Sequence, residues 1–424
     1  MVDYRKSGGD LTTLGAFQGV TVDLAAGTAV DPFGATDTLS NIERVKGTHW
    51  NDLIFGDGVA NRLESYEGND AMLGEAFNHS IDGFAFQAFR LYQATLDRVP
   101  DVPGMNSWAN ALKNGVPILQ VVDGFVNSAE FQSKYGATDN GQFVTLLYNN
   151  VLNRSPDPGG FKAWKDYLDA GGSRAVVVNG FSDSAEFISN SWVSFTPFST
   201  AALAGKVTAD IFRLYQATLD REPDAGGLVA WTNHLTLGAS KLSVVSGFVG
   251  SAEFQAKYGA TDNGQFVNLL YNNVLNRSPD PGGFKFWKDY LDAGGSRESV
   301  VLGFADSMEF KDNTAADVFA FMRGGDTSTL QDLMEGGAGD DGVVGGLGAD
   351  RFKFVQGEGG SDIVGDLEDW DWVQFNGFGY SDKSDVLAHM TQKAEGVEFE
   401  DQGQTILFFG KQISDFTDDT FDFV

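Results

Sequence analysis

Residues 336–353 read GGAGDDGVVGGLGADRFK, two consecutive nine-residue units in which Gly-Gly-x-Gly-x-Asp is followed two positions later by an apolar residue. Gly336, Gly337, Gly339, Gly345, Gly346 and Gly348 can turn their carbonyls inward because no Cβ stands in the way, and only Gly takes such backbone angles cheaply. Asp341 and Asp350 add carboxylate oxygens, the hard ligands that Ca²⁺ prefers. A nine-residue Gly-Asp register is a calcium signature, whereas a flexible glycine linker needs no register. Val343 and Phe352 read as the apolar centres of short strands, and Asp332 with Met334 suggests one further, degenerate turn upstream.

The same spacing recurs near the other end of the chain. In GTHWNDLIFGDGVANRLESYEGNDAML, Asp52, Asn61 and Asp70 stand nine apart and are followed by Ile54, Leu63 and Met72. This copy is degraded: Trp50 stands where the pattern has Gly, and Ser65-Tyr66 replaces a Gly-Gly pair. Its turns either hold metal or pack without it.

On these residues the two blocks resemble the RTX (hemolysin-type) repeats of secreted proteins. The resemblance implies Ca²⁺ as cofactor, bound by the Gly carbonyls and the sixth-position Asp of paired turns, and a parallel β-roll as fold. Val20 to Ala29 and Asp37 to Thr48 look like the lead-in strands of serralysin-like proteins, and Ala349 to Phe354 with Gly359 to Phe375 resemble the β-rich cap that follows their repeats. The ending DDTFDFV resembles the uncleaved C-terminal signal of type I secretion substrates, which implies an extracellular or cell-surface location. Trp370, Trp372, Phe375, Phe378 and Leu407-Phe408-Phe409 are expected to form a sheet core.

The chain has 424 residues, a net charge of −30 and no cysteine. That length allows several cores. The missing cysteines exclude a disulfide-stapled scaffold, and the acidity argues against nucleic acid or anionic membrane as partners. Such self-repulsion is expected to expand the chain until cations neutralise part of it. No run of 18 apolar residues suggests membrane insertion, and MVDYRKSGGD lacks the apolar core of a cleaved signal peptide.

Between the two blocks lies an internal repeat. FRLYQATLDR occurs at Phe89 to Arg98 and again at Phe212 to Arg221; Ser128 to Arg174 and Ser251 to Arg297 keep that offset of 123 and differ at three of 47 positions. Each copy is itself double, because Tyr92, Arg98, Asp101, Gly104, Trp108, Gly124 and Ser128-Ala129-Glu130-Phe131 recur 56 residues later. Four homologous units result. Phe143, Leu146, Leu147 and Val151 are spaced as on a helix, and about three helices per unit are expected. Asp157-Pro158 reads as an N-cap with Pro at the first helical position, Gly171-Gly172 as a stop, and Ser128 and Ser184 as caps. The units resemble a bacterial helical repeat domain of unassigned function found in RTX-type and S-layer-like extracellular proteins.

Arg98, Arg154, Arg221 and Arg277 are expected to hold their loops by bidentate pairs with Asp101, Asp157, Asp224 and Asp280. Trp108, Trp164, Trp231 and Trp287 are expected in the core, with stacking on sugar as the functional reading. Asn149, Asn150, Asn272 and Asn273 offer amides to a glycan, and Glu130, Glu186, Glu253 and Glu309 read as first-turn acids.

Catalysis finds little support. His49, His79, His234 and His389 stand far apart in sequence, and HExxH, GxSxG and GxxxxGK[ST] are absent. The expected architecture is α+β and multidomain: a parallel, RTX-like β-roll split between the N- and C-terminal parts, with an all-α repeat array inserted. The boundaries read as 1–75, 76–195, 196–323 and 324–424, and residues 47–73 and 327–353 are expected to stack in one roll. The expected function is that of a secreted, calcium-binding, non-enzymatic surface or matrix protein whose repeats bind polysaccharide or neighbouring copies. A secreted polysaccharide-degrading enzyme is the alternative, since two suitably spaced carboxylates would suffice.

Overall fold

The computed structural model describes residues 1–4, 19–74, 82–236 and 238–424; Arg5 to Asp10 and His79, named above, lie outside these. Seventeen strands and seventeen α-helices are described: a central helical array flanked by strand regions.

The strands are β1 (Val2–Asp3), β2 (Thr21–Asp23), β3 (Thr28–Val30), β4 (Thr36–Thr38), β5 (Arg44–Lys46), β6 (Leu53–Phe55), β7 (Arg62–Glu64) and β8 (Ala71–Leu73) before the helices. After them come β9 (Leu333–Glu335), β10 (Gly342–Val344), β11 (Arg351–Val355), β12 (Gly360–Val364), β13 (Trp372–Asn376), β14 (Met390–Gln392), β15 (Gly396–Asp401), β16 (Gln404–Phe409) and β17 (Phe421–Phe423). Two sheets result, in the orders β1-β5-β7-β9-β11-β13-β17 and β14-β15-β16-β12-β10-β8-β6-β2-β3-β4. The first is parallel throughout; the second is parallel in its middle and closes at each end with antiparallel strands. Those hairpins cover edges that would otherwise present unpaired backbone groups.

From β5 to β8 and again from β9 to β13, consecutive strands alternate between the sheets, so the chain coils with one rung every second turn. Strands of three residues suffice because only the middle side chain points inward. Val45, Ile54, Leu63, Met72, Met334, Val343 and Phe352, nine apart within each block, are buried and share one core.

The two blocks stack. β8 pairs in parallel with β10 (Met72 beside Val343), and β7 with β9 (Leu63 beside Met334). Within a block the stacked turns lie 18 residues apart, as Asp52 and Asp70 do, and across the junction 271 apart, as Asp70 and Asp341 do. The difference, 271 minus 18 or 253 residues, is the length of the helical insertion.

The insertion comprises four units of four helices, not the three per unit that sequence spacing suggested. They are α1 (Asp82–Leu96), α2 (Val102–Lys113), α3 (Ile118–Val126) and α4 (Ala129–Tyr135); α5 (Asn140–Val151), α6 (Pro158–Asp169), α7 (Arg174–Ser182) and α8 (Ala185–Phe195); α9 (Thr200–Leu219), α10 (Ala225–Thr236), α11 (Lys241–Val249) and α12 (Ala252–Tyr258); α13 (Asn263–Asn273), α14 (Pro281–Asp292), α15 (Arg297–Ala305) and α16 (Met308–Arg323). The fourth helix arises because Ser128 accepts the Phe131 amide and so starts a new helix two residues after α3 ends. A short helix, α17 (Lys383–Leu387), lies in the cap. Among the described residues no helix is long and apolar enough to cross a membrane.

The insertion sits on the coil through the stretch joining α8 to α9. Trp192, Phe195 and Phe198 form one core with Phe55, Leu73 and Val344 of the second sheet. Farther along, Arg323 at the end of α16 donates to the carbonyls of Trp370, Asp371 and Asp419, which ties the last helix to the cap.

Candidate functional site

The sixth-position acids of the turns form two ladders along opposite edges of the coil. On one edge the amide N–H of Asp52 donates to Asp70 Oδ1 (2.7 Å), that of Asp70 to Asp341 Oδ1 (2.9 Å) and that of Asp341 to Asp362 Oδ1 (3.0 Å). On the other, Asn61 donates to Asp332, Asp332 to Asp350 (2.7 Å) and Asp350 to Asp371 (2.9 Å). Turns adjacent in sequence, such as those ending at Asp341 and Asp350, therefore stand on opposite edges. The pairs that meet are turns adjacent in the stack.

The glycines make room for these acids. A Cβ on Gly336 would collide with Asp341 Oδ2, and one on Gly345 with Asp350 Oδ2. Gly339 (φ 135°) and Gly348 (φ 111°) adopt left-handed angles, and a side chain there would strike the carbonyls of Gly68 and Leu330 in the neighbouring turn. Trp50, at the matching place in the degenerate block, is outside the left-handed set. Asn61 turns back on its own loop and accepts the Asp57 amide (2.9 Å).

Each ladder carboxylate spends one oxygen on its neighbour's amide. The other oxygen of Asp70, Asp341 and Asp350 is buried with no hydrogen-bond partner, an unusual state for a charged group. Burial is the main cause that lifts the carboxyls of Asp52, Asp70, Asp341, Asp350, Asp362 and Asp371 above the usual range, and neighbouring acids add to the shift in all of these but Asp52. Asp366, also moved up by burial to about 6, accepts the amides of Gly345 and Gly346. Two acids that sequence reading missed, Asp362 and Asp371, continue the ladders at a spacing of 21. They stand nine apart and are followed by Val364 and Val373, as in the other turns, but a three-residue shift from 18 to 21 sets them out of register with Asp341 and Asp350. Among the described residues no three His, Cys, Asp or Glu side chains converge to hold a metal by themselves.

In the helical array the bidentate Arg forks close on Glu rather than on the expected Asp, while Arg154 Nη1 and Arg277 Nη1 keep single ion pairs to Asp157 and Asp280 at 3.6 Å. Arg98, Arg154, Arg221 and Arg277 each grip the first-turn Glu 32 residues on, Glu130, Glu186, Glu253 and Glu309, through Nε and Nη2. The Asp residues are N-caps: Asp101, Asp157, Asp224 and Asp280 accept the amide three residues later at 2.7–2.8 Å. A carboxylate occupied by a cap leaves the Arg fork to the Glu. The loop residue before each Arg, Asp97, Asn153, Asp220 or Asn276, has a left-handed φ near 50°, which short polar side chains tolerate.

Trp108, Trp164, Trp231 and Trp287 pack edge-on over Gly124, Gly180, Gly247 and Gly303, where a Cβ would press into the indole. All four are partly buried and pack against the helical cores. Asn150 and Asn273 donate to the buried hydroxyls of Tyr135 and Tyr258 (3.1 Å each), so these amides serve the core. His49 lies near Glu67 and His389 near Asp401, on different elements.

Four stretches of the array, residues 88–134, 122–191, 208–257 and 245–314, match the family described as Domain of unknown function (DUF4214). No curated protein matches the chain. The helical array of this α+β protein is a tandem of DUF4214 repeats.

Proposed function

We propose that the chain is a secreted or cell-surface, non-enzymatic protein folded by Ca²⁺ on an RTX-like roll and exported by a type I-like C-terminal signal, and that its repeats engage polysaccharide or neighbouring copies. The observation that carries the reading is the set of buried, unpartnered Oδ2 atoms on Asp70 and Asp341 along one ladder and on Asp350 along the other. Negative oxygens stacked without counter-charge cost free energy that a divalent cation removes.

Asp70 with Asp341, and Asp332 with Asp350, would hold the ions between stacked turns, with carbonyls of the Gly336–Gly339 and Gly345–Gly348 loops completing the donor set. Asp52 and Asn61 border the same ladders in the degenerate block. When bound, calcium supplies charge neutralisation and couples binding to folding, so a chain of net charge −30 is less stable until it meets millimolar calcium. Fourfold repetition of DUF4214 units suits weak multivalent attachment better than a single tuned catalytic centre.

Circular dichroism and thermal melting with calcium and with excess chelator test the reading. A steep rise in Tm on adding calcium is the expected result; superimposable melts would overturn it.

A further inference from the structure

Two cavities, of about 580 Å³ and 520 Å³, lie between the coil and the first helical pair. The first is walled by Trp50 and Asn51 of the coil and by Glu186 and Trp192 of α8. The second is walled by Asn69 of the coil and by Gln93, Asn150 and Asn153 of the helices. Asn190 lines both, so they adjoin as one cleft running across the rungs.

The coil wall carries ordered donors. The amide N–H of Asn69 donates to Asn51 Oδ1 (2.9 Å), and that of Asp340 to Asn69 Oδ1 (3.2 Å). Each amide oxygen is thereby committed within the coil, which fixes the side-chain orientation and leaves its NH₂ end as the donor. Asn51 and Asn69 each stand two residues before paired positions of adjacent strands, Leu53 beside Ala71, so their NH₂ groups repeat at roughly 4.8 Å.

The charges at the cleft are already answered. Glu186 is forked by Arg154, Asp97 is paired with Lys134, and Arg98 with Glu130. Beside these pairs the walls carry amides and apolar side chains such as Val30, Leu53, Ile188 and Leu152, in a protein of net charge −30, which repels polyanions.

We propose that this cleft binds a neutral, extended oligosaccharide, with Asn51, Asn69 and Asn190 donating to hydroxyls. The repeating donors suit a chain of repeating hydroxyls, and a site between two structural parts is a common place for a ligand. The proposal rests on the glycan-binding part of the reading above and moves the contact from the repeat loops to the junction with the coil.

Isothermal titration of the full chain in calcium buffer with maltohexaose, cellohexaose, laminarihexaose and mannohexaose, and with hexaguluronate as the charged control, tests it. At least one neutral hexamer should bind and hexaguluronate should not. Asn190→Ala and Asn69→Asp, both at exposed positions, the second keeping its Oδ1 acceptor while losing the NH₂ donor, should each weaken binding about tenfold with melting unchanged. If a neutral hexamer binds both variants as well as the parent, the cleft is not the site while glycan binding stands. If only hexaguluronate binds, or no hexamer does, both are overturned.

Discussion

The amide N–H of Asp70 donates to Oδ1 of Asp341 at 2.9 Å although 271 residues separate them. A duplicated helical array leaves and re-enters the coil between these two residues, and the ladder passes the junction in the same geometry as elsewhere. The acid at each rung is thus both the backbone's hydrogen-bond acceptor and a stored negative charge. These two roles respond differently to substitution.

Asp341→Asn keeps an oxygen to accept the Asp70 amide while removing a buried charge. In chelator the variant should melt at or above the parent temperature; in calcium it should melt below it, having lost a ligand. Asp341→Ala also orphans a buried amide, which costs about 1–3 kcal/mol in either buffer. Parallel melts of the three proteins give the comparison, and a uniform loss for both variants would refute the ligand role.

The pH response in chelator follows from the raised carboxyls. Asp341 moves up to about 7 and Asp362 to about 9, chiefly through burial. A carboxyl whose folded pKa exceeds its unfolded value favours the folded state below the unfolded pKa, and loses that contribution as pH rises toward the folded one. Calcium-free protein should therefore become less stable from about pH 4 to about pH 9. Saturating calcium should flatten this slope, measured as Tm against pH.

Gly339→Ala puts a Cβ into the Gly68 carbonyl at a φ of 135°. A loss of about 2 kcal/mol or more is expected, since left-handed strain and a backbone clash combine. Gly159→Ala is the control. That glycine lies in the first turn of α6, its Cβ would meet only Asp157 at 3.6 Å, and Ala is the better helix former, so the change should be neutral or stabilising. Urea midpoints of the two variants rank them.

Ser128 caps α4 by accepting the Phe131 amide (3.1 Å), and Ser128→Ala should cost about 1 kcal/mol. Arg98→Ala breaks a fork whose two partners are more than a third exposed, and solvent screening makes it the smaller loss. Denaturation of the two variants side by side checks the order.

Joining Leu73 directly to Thr327 removes 253 residues and places Asp332 nine positions after Asp70, the period of the coil. The shortened chain should still give a calcium-dependent β spectrum. Phe55, Leu73 and Val344 lose their helical cover, so solubility should require polar residues at one or more of them. An unstructured product in calcium would show that the array is needed for the coil to form.

The nine-residue period, the offsets of 56 and 123, and the caps at Asp157 and Ser128 were legible in the sequence because each depends on residues a few positions apart. Glycine spacing, N-cap chemistry and apolar periodicity are local rules. The partners were not. A parallel coil stacks every second turn, so Asp341 meets Asp70 rather than Asp350, and no local signal distinguishes the two. Arg154 forks on Glu186 and reaches Asp157 only through Nη1 at 3.6 Å, because Asp157 also caps its own helix, an arrangement settled only when α8 packs beside that loop. The fourth helix in each unit, the continuation of the ladders at Asp362 and Asp371, and the cleft where Asn190 faces Asn51 and Asn69 likewise arise from contacts between distant segments. Sequence specified which residues carry the chemistry, while tertiary structure decided which of them meet.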